Sequence, residues 1–209
     1  LLQTKSKIND ILDSFKIESG MNTQSRFGLK LNSKRHLLPF KNGTIDWGMR
    51  DKKGLYIPPK KPFRCIEKED YISMYIDKIY AGKYNRPNKF PFTIGEDTFE
   101  SREEYDKEYK YLWNKLDGLF NKTLRRGYER EYVKNCIGYG QTGYTHFKIF
   151  LALLGDLANN GKSTMHQVLK AQLYPFCNTL SCELFTESKI DACKLEPLRT
   201  GIRIGFVEE

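Results

Sequence analysis

The sequence predicts an α/β fold, mostly helical at its N-terminal end with a small β-hairpin element, and alternating strand and helix at its C-terminal end. Three observations predict it. Apolar residues recur at helical spacing in several separate stretches. The segment Leu37–Pro59 breaks into short extended pieces at Asn42-Gly43, Trp47-Gly48 and Gly54. Two apolar runs of β character, Phe147–Leu154 and Ile202–Val207, bracket a Gly/Asn-rich loop and an amphipathic helix. We expect a division into residues 1–140 and residues 141–209.

In chain order, Ile8, Ile11, Leu12 and Phe15 fall on one face of a helix within residues 1–20. Residues 20–32 are polar and turn-rich. The pieces between Leu37 and Pro59 carry hairpin chemistry, because Asn-Gly tolerates the positive φ of a tight turn. Ile72, Tyr75, Ile76 and Ile79 predict a helix over Glu67–Tyr80, and the Pro, Asn and Gly of Ala81–Thr98 predict a linker. Ser101-Arg102-Glu103-Glu104 fits a capping box opening a helix striped by Tyr105, Tyr109, Leu112 and Leu116. A further helix is expected from Leu124 to Ile137, stopping at Gly138. No internal repeat is visible at a solenoid period.

A chain of 209 residues with 39% hydrophobic and 29% charged residues can bury a core, which argues against wholesale disorder. No run approaches the ~18 apolar residues of a membrane span. The start, LLQTKSKIND, lacks the apolar core of a signal peptide, and we expect the chain to be part of a longer polypeptide. Five dispersed cysteines read as reduced thiols of a soluble intracellular protein, and His36, His146 and His166 stand apart from one another and from the cysteines. Charge is uneven: through Arg64 there are 14 Lys and Arg against 5 Asp and Glu, a net of +9, and from Cys65 onward 21 against 21. A basic segment beside a neutral one is the footprint of a polyanionic partner such as DNA, although a solvated lysine-rich surface gives the same count.

The stretch most informative about chemistry is HFKIFLALLGDLANNGKSTMHQVLKAQL. Apolar run, loop, Gly161-Lys162-Ser163-Thr164 and helix together form the context of a phosphate-binding loop. Backbone N–H groups of the loop and of the helix start, with the positive end of the helix dipole, favour anionic oxygens. Gly155, Asn159, Asn160, Gly161, Lys162, Ser163 and Thr164 are therefore the candidate ATP-binding residues. Lys162 would reach the β- and γ-phosphates, and the Ser163 hydroxyl would ligate Mg²⁺. The loop departs from the usual G-x-x-x-x-G-K-[ST]: Asp156 stands at the first-Gly position, and five residues separate Gly155 from Gly161. Glu208-Glu209, at the end of the run Ile202–Val207, supplies the carboxylate pair such a site needs, one for the metal and one for the attacking water.

Asn160–Ser163, the strand LRTGIRIGFVEE, LLPFKNGTIDW with EDYIS upstream, and CIGYGQTGYTHFKIF occur in the order found in superfamily 3 helicases, and the chain resembles the viral and phage primase-helicases of poxvirus type. The resemblance covers roughly residues 30–209. It implies a pre-helicase domain followed by the first part of an AAA+ ATPase core, from Walker A to Walker B. It also implies ATP and Mg²⁺ as cofactors, with Glu208 assisting the metal and Glu209 orienting water. Implied partners are single-stranded or forked DNA, replication proteins or a primase domain, and further copies in a hexameric ring, with no membrane. The expected setting is a viral replication site within the host cell. The family's sensor Asn and arginine finger lie beyond its Walker B strand, so this stretch alone should not complete a hydrolysis cycle. The alternatives are a nucleotide-binding module or small-molecule kinase without helicase activity, and a scaffold whose nucleotide site only organises assembly.

Overall fold

The computed structural model describes residues 31–147, 149, 151–154, 161–186 and 201–207. The expected helix of residues 1–20 lies outside them. The chain forms two compact units, residues 1–34 with 67–73, and residues 35–66 with 74–209.

In the first unit, a single 3-10 turn at Lys68–Asp70 ends at Tyr71, which takes a left-handed φ of 52°. Asn32 and Ser73 clasp each other: the Asn32 amide donates to Ser73 Oγ at 2.7 Å and accepts from the Ser73 backbone N–H at 2.9 Å. Asp70 is buried, accepting from the Glu67 N–H at 2.9 Å and pairing with Lys34 at 3.2 Å.

The second unit begins with a three-stranded antiparallel sheet. Strands β1 (Leu37–Phe40) and β2 (Gly43–Asp46) form a hairpin where one is expected, but its loop is Lys41-Asn42, and Gly43 is the first residue of β2, paired with Phe40. Leu37, Leu38, Thr44 and Ile45 are all buried, so neither strand alternates polar and apolar as a one-sided sheet would. A second hairpin pairs β3 (Met49–Arg50) with β4 (Tyr56–Ile57), and β5 (Phe63–Arg64) returns to β2.

The helix expected over Glu67–Tyr80 does not form. Beyond the 3-10 turn, Ile76 is claimed by the sheet instead: its N–H donates to the Pro39 carbonyl at 2.9 Å, and its carbonyl accepts from the Lys41 N–H at 3.1 Å. Ile76 is buried, whereas Tyr75 and Ile79 are exposed. A weak helical stripe thus loses to a tertiary ladder that satisfies the same backbone groups. Asn42 fastens the far end, accepting from the Tyr80 N–H and donating to the Tyr80 carbonyl, both at 2.9 Å.

The expected linker Ala81–Thr98 instead holds a hairpin of β6 (Phe92–Ile94) and β7 (Asp97–Phe99). Its rings Phe92 and Phe99 pack edge-on against the buried Tyr105 of α1 (Arg102–Thr123), an anchor that composition alone does not reveal. Helix α2 (Gly127–Thr142) runs past Gly138 and ends at Gly143, in a left-handed conformation against the Arg35 backbone. Gly138 meets nothing and remains an ordinary helical residue; left-handed φ at the C-terminal position is what stops a helix. Residue 140 therefore lies within α2.

The run Phe147–Leu154 forms no strand among its described residues. From Leu151 to Leu154 burial nonetheless alternates, with Leu151 and Leu153 turned to the core and Leu154 92% exposed. The side chains keep the period of an extended strand, but among the described residues no neighbouring strand completes a ladder.

Helix α3 (Lys162–Leu173) is followed by β8 (Cys177–Thr179), the short helix α4 (Glu183–Thr186) and β9 (Ile204–Phe206). Strands β8 and β9 pair in parallel, Cys177 with Ile204 through Thr179 with Phe206. A parallel pair requires a crossover of a dozen or more residues, which the chain between them supplies. One core joins Leu38 and Ile45 of the sheet, Ile76, Phe120 of α1, Val133 of α2, and Met165, Leu169 and Leu173 of α3 with Cys177 of β8. The fold is mixed α/β, and its N-terminal half carries more β structure than the mostly helical domain expected. Among the described residues no helix is long and apolar enough to cross a membrane.

Candidate functional site

Helix α3 forms because Met165, Leu169 and Leu173 repeat at i, i+4 and i+8, burying one stripe against the core. Its N-terminus is unusual. Gly161 occupies the N-cap with φ of 84° and, having no side chain, offers no oxygen of its own to the first turn. A Cβ at Gly161 would meet Thr123 Oγ1, at the end of α1, at 2.6 Å. Glycine is thus required twice over, by the left-handed backbone and by the close approach of the neighbouring helix. That Thr123 hydroxyl is itself buried, with no hydrogen-bond partner among the described residues.

The first turn consists of Lys162, Ser163 and Thr164 and carries no acidic residue. Lys162 is half-buried, while Ser163 and Thr164 are exposed. The N–H groups of the first turn, not capped by the N-cap residue, gather with an ammonium and two hydroxyls at the positive end of a 12-residue helix, an arrangement suited to phosphate oxygens. Of the expected loop residues, Gly155, Asn159 and Asn160 lie outside the described residues, as do Glu208 and Glu209.

The end of β9 reaches the opening turns of α3. The buried His166 ring stacks on Phe206, centroids 4.3 Å apart and planes 28° from parallel. His166 Nε2 lies 3.3 Å from Thr179 Oγ1, which also accepts from Lys170 Nζ at 3.0 Å. One face of α3 is thereby clamped to both parallel strands, with the last residue of β9 beside the helix's second turn.

Arg203 holds the other side of β9. Its guanidinium donates to the Gln141 carbonyl at 2.5 Å and to the Leu37 carbonyl, and sits 4.7 Å from the centre of the Phe176 ring. Burial, with a smaller contribution from Arg35, pushes its pKa down to about 10, still well above neutrality. Close packing supplements the polar contacts: a Cβ on Gly140 of α2 would lie 2.6 Å from Ile204 Cγ1. Cys177, at the start of β8, is fully buried, and desolvation raises its thiol to about 11 although Lys170 opposes the shift. It remains a protonated core residue at neutral pH rather than a nucleophile.

In the sequence His166 stands isolated and Thr123 has no evident role. His166 follows the buried Met165 on the inward side of α3, which marks it as a packing position. Arg203 is visible as a lone cation within an apolar run, a pattern that requires buried acceptors. Among the described residues no three His, Cys, Asp or Glu side chains converge to hold a metal ion. No family model matches the chain, and no curated protein or solved structure matches it either.

Proposed function

We propose that the chain is the nucleotide-binding part of an ATP-dependent DNA helicase of replication, with Lys162, Ser163 and the amides of the loop around Gly161 holding ATP·Mg²⁺. The observation that carries this reading is the start of α3: a left-handed glycine at the N-cap, then Lys-Ser-Thr, with the end of a parallel strand packed one turn away. The alternating burial of Leu151–Leu154 supports an extended lead into the loop. The parallel pair β8–β9 after α3 supports the strand–helix–strand order of an open α/β nucleotide domain.

ATP fits these residues. The positive helix end and the Lys162 ammonium complement the phosphates, and α1 covers the side of Gly161 where a side chain would lie. Bound ATP·Mg²⁺ supplies the phosphoryl group whose transfer to water drives unwinding. The chain's own residues bind and orient it: Lys162 places a charge at the terminal phosphates, and the Ser163 hydroxyl offers an oxygen to the metal. Glu208 is proposed to assist the metal and Glu209 to orient the attacking water. A hexameric ring, contact with a primase domain and assembly with replication proteins belong to the same proposal.

The test is calorimetric titration of the chain with ATP in the presence of Mg²⁺. Lys162→Ala should weaken affinity about 10- to 100-fold, the cost of removing a charge-assisted hydrogen bond, while leaving the circular dichroism spectrum unchanged. An unaltered affinity in a folded Lys162→Ala variant would overturn the assignment of the loop. DNA-stimulated hydrolysis in the longer polypeptide separates a helicase from a kinase, which would transfer phosphate to a small substrate instead.

A further inference from the structure

A little over half of the basic excess of residues 1–64 falls between Met49 and Arg64, on the β3–β4 hairpin and the segment that follows it. Between Met49 and Arg64 stand six Lys and Arg (Arg50, Lys52, Lys53, Lys60, Lys61 and Arg64) against the single acid Asp51. Asp51 is occupied by the turn itself, its Oδ1 accepting from the N–H groups of Lys53 and Leu55 at 2.8 Å each. Arg50 donates to the Gly54 carbonyl at 2.8 Å, and Arg64 pairs with Asp46 at 3.6 Å. No acid partner is placed on Lys52, Lys53, Lys60 or Lys61 among the described residues. Lys41, by contrast, has Asp77 at 3.3 Å.

The same hairpin exposes apolar surface. Leu55 is 65% and Tyr56 55% exposed, and Met49 and Ile57 are also largely uncovered. Tyr56 is nevertheless held in place. Its hydroxyl donates to the Trp47 carbonyl at 3.1 Å, and its ring leans over Gly48, where an added Cβ would come within 2.8 Å of the ring. Beneath it the Gly48 carbonyl accepts from Tyr144 Oη at 2.6 Å. Burial raises the Tyr144 phenol above its ordinary value, with Tyr56 adding to the shift, so the hydroxyl keeps its proton and remains a donor. A flat ring with fixed orientation and more than half its surface open, with these four lysines within five residues of it in sequence, has the composition of a single-strand binding platform.

We propose that the β3–β4 hairpin and the following Pro58-Pro59-Lys60-Lys61 segment form a binding site for single-stranded nucleic acid. Tyr56 stacks on an unpaired base, and Lys52, Lys53, Lys60 and Lys61 contact the phosphates. A duplex hides its base faces, whereas a single strand presents them to the ring, which favours single-stranded over double-stranded ligands. The identity of the polyanion rests on the helicase reading; the charge, exposure and anchoring of the hairpin do not.

The experiment measures fluorescence anisotropy of labelled (dT)20 titrated with the full chain across a salt series. Simultaneous Lys→Ala substitution at 52, 53, 60 and 61 should lower the slope of log affinity against log salt by about 2.8, near 0.7 for each lysine–phosphate pair removed. Tyr56→Leu should weaken binding roughly 5- to 150-fold, as loss of one base stack requires, with Tyr56→Phe retaining most of the affinity. Lys107→Ala with Lys110→Ala on α1 controls for general charge removal and should leave the slope nearly unchanged. Retained thermal unfolding in each variant shows that the fold survives. Equal (dT)20 affinity in the hairpin variants, or no (dT)20 binding by the unsubstituted chain, overturns the proposal. So does hairpin-dependent binding of phosphatidylserine vesicles or poly-glutamate in place of (dT)20. ATP affinity measured on the same variants distinguishes the two readings. Hairpin variants with undiminished (dT)20 affinity, in a chain that binds ATP through Lys162, reject only this site. ATP binding indifferent to Lys162 rejects the nucleotide site while leaving the hairpin standing.

Discussion

Arg203 shows how much one residue joins. Its guanidinium bridges the carbonyl of β1's first residue, the carbonyl of Gln141 near the end of α2, and the face of Phe176. Leu37 lies 166 residues away from it in sequence. Replacing the side chain leaves two carbonyls without their charged donor, so Arg203→Ala should destabilise the fold by roughly 2–4 kcal/mol. Arg203→Lys should recover only part of this, because a single ammonium does not span two acceptors and does not stack as a guanidinium does. Urea denaturation of the three proteins checks it: equal midpoints would show that the bridge contributes nothing. Gly161 is the counterpart in the candidate site. Its motif makes it legible in the sequence, but the second reason for its being glycine, the Thr123 hydroxyl of α1, appears only in three dimensions.

Among the elements, α1 comes closest to the expectation from sequence. Ser101 is its N-cap, its hydroxyl accepting from the Glu104 N–H at 3.2 Å. The return half of the expected box is displaced by one residue, since Glu104 Oε2 accepts from the Glu100 N–H at 2.8 Å instead of from Ser101. Ser101→Ala should cost about 1 kcal/mol and Ser101→Asp should retain most of the stability, because a carboxylate also caps and complements the helix dipole. Chemical denaturation decides this, and a cost near zero for Ser101→Ala would show that Glu104 holds the helix start alone. Helix signals are legible where the cap and stripe act locally. They fail at Glu67–Tyr80, where Ile76 bonds to β1, and at Ala81–Thr98, where Phe92 and Phe99 find Tyr105. In both places the deciding partner lies outside the window that a periodicity reads.

At the scale of the molecule, residues 35–66 and 74–209 share one core. Met165, Leu169 and Leu173 of α3 are packed in the same cluster as Leu38, Ile45, Ile76, Phe120 and Val133. A fragment of residues 141–209 would lack all five of those partners and retain too little apolar surface to offset its conformational entropy. Produced alone, it should show weak circular dichroism and poorly dispersed amide resonances, whereas residues 35–209 should give dispersed resonances. A well-folded 141–209 fragment would show that the shared core is dispensable to the candidate nucleotide site. The charge asymmetry belongs to this scale as well: the count of 14 against 5 through Arg64 is readable in composition, but the exposed apolar hairpin that carries part of it is not.

The sequence by itself determined the local chemistry of this protein. The Lys41-Asn42-Gly43 stretch turns β1 into β2, Ser101 caps α1, and Gly161-Lys162-Ser163 opens α3, because each depends on backbone geometry within a few residues. Tertiary structure alone decided which groups meet across the chain. It set β8 parallel to β9, placed Phe206 on His166, alternated the burial of Leu151–Leu154, and turned Tyr56 outward on a lysine-rich hairpin. Hydrogen-bond satisfaction and burial are settled by partners distant in sequence, and a pattern of 3.6 or 2 states which face is apolar but never what will cover it.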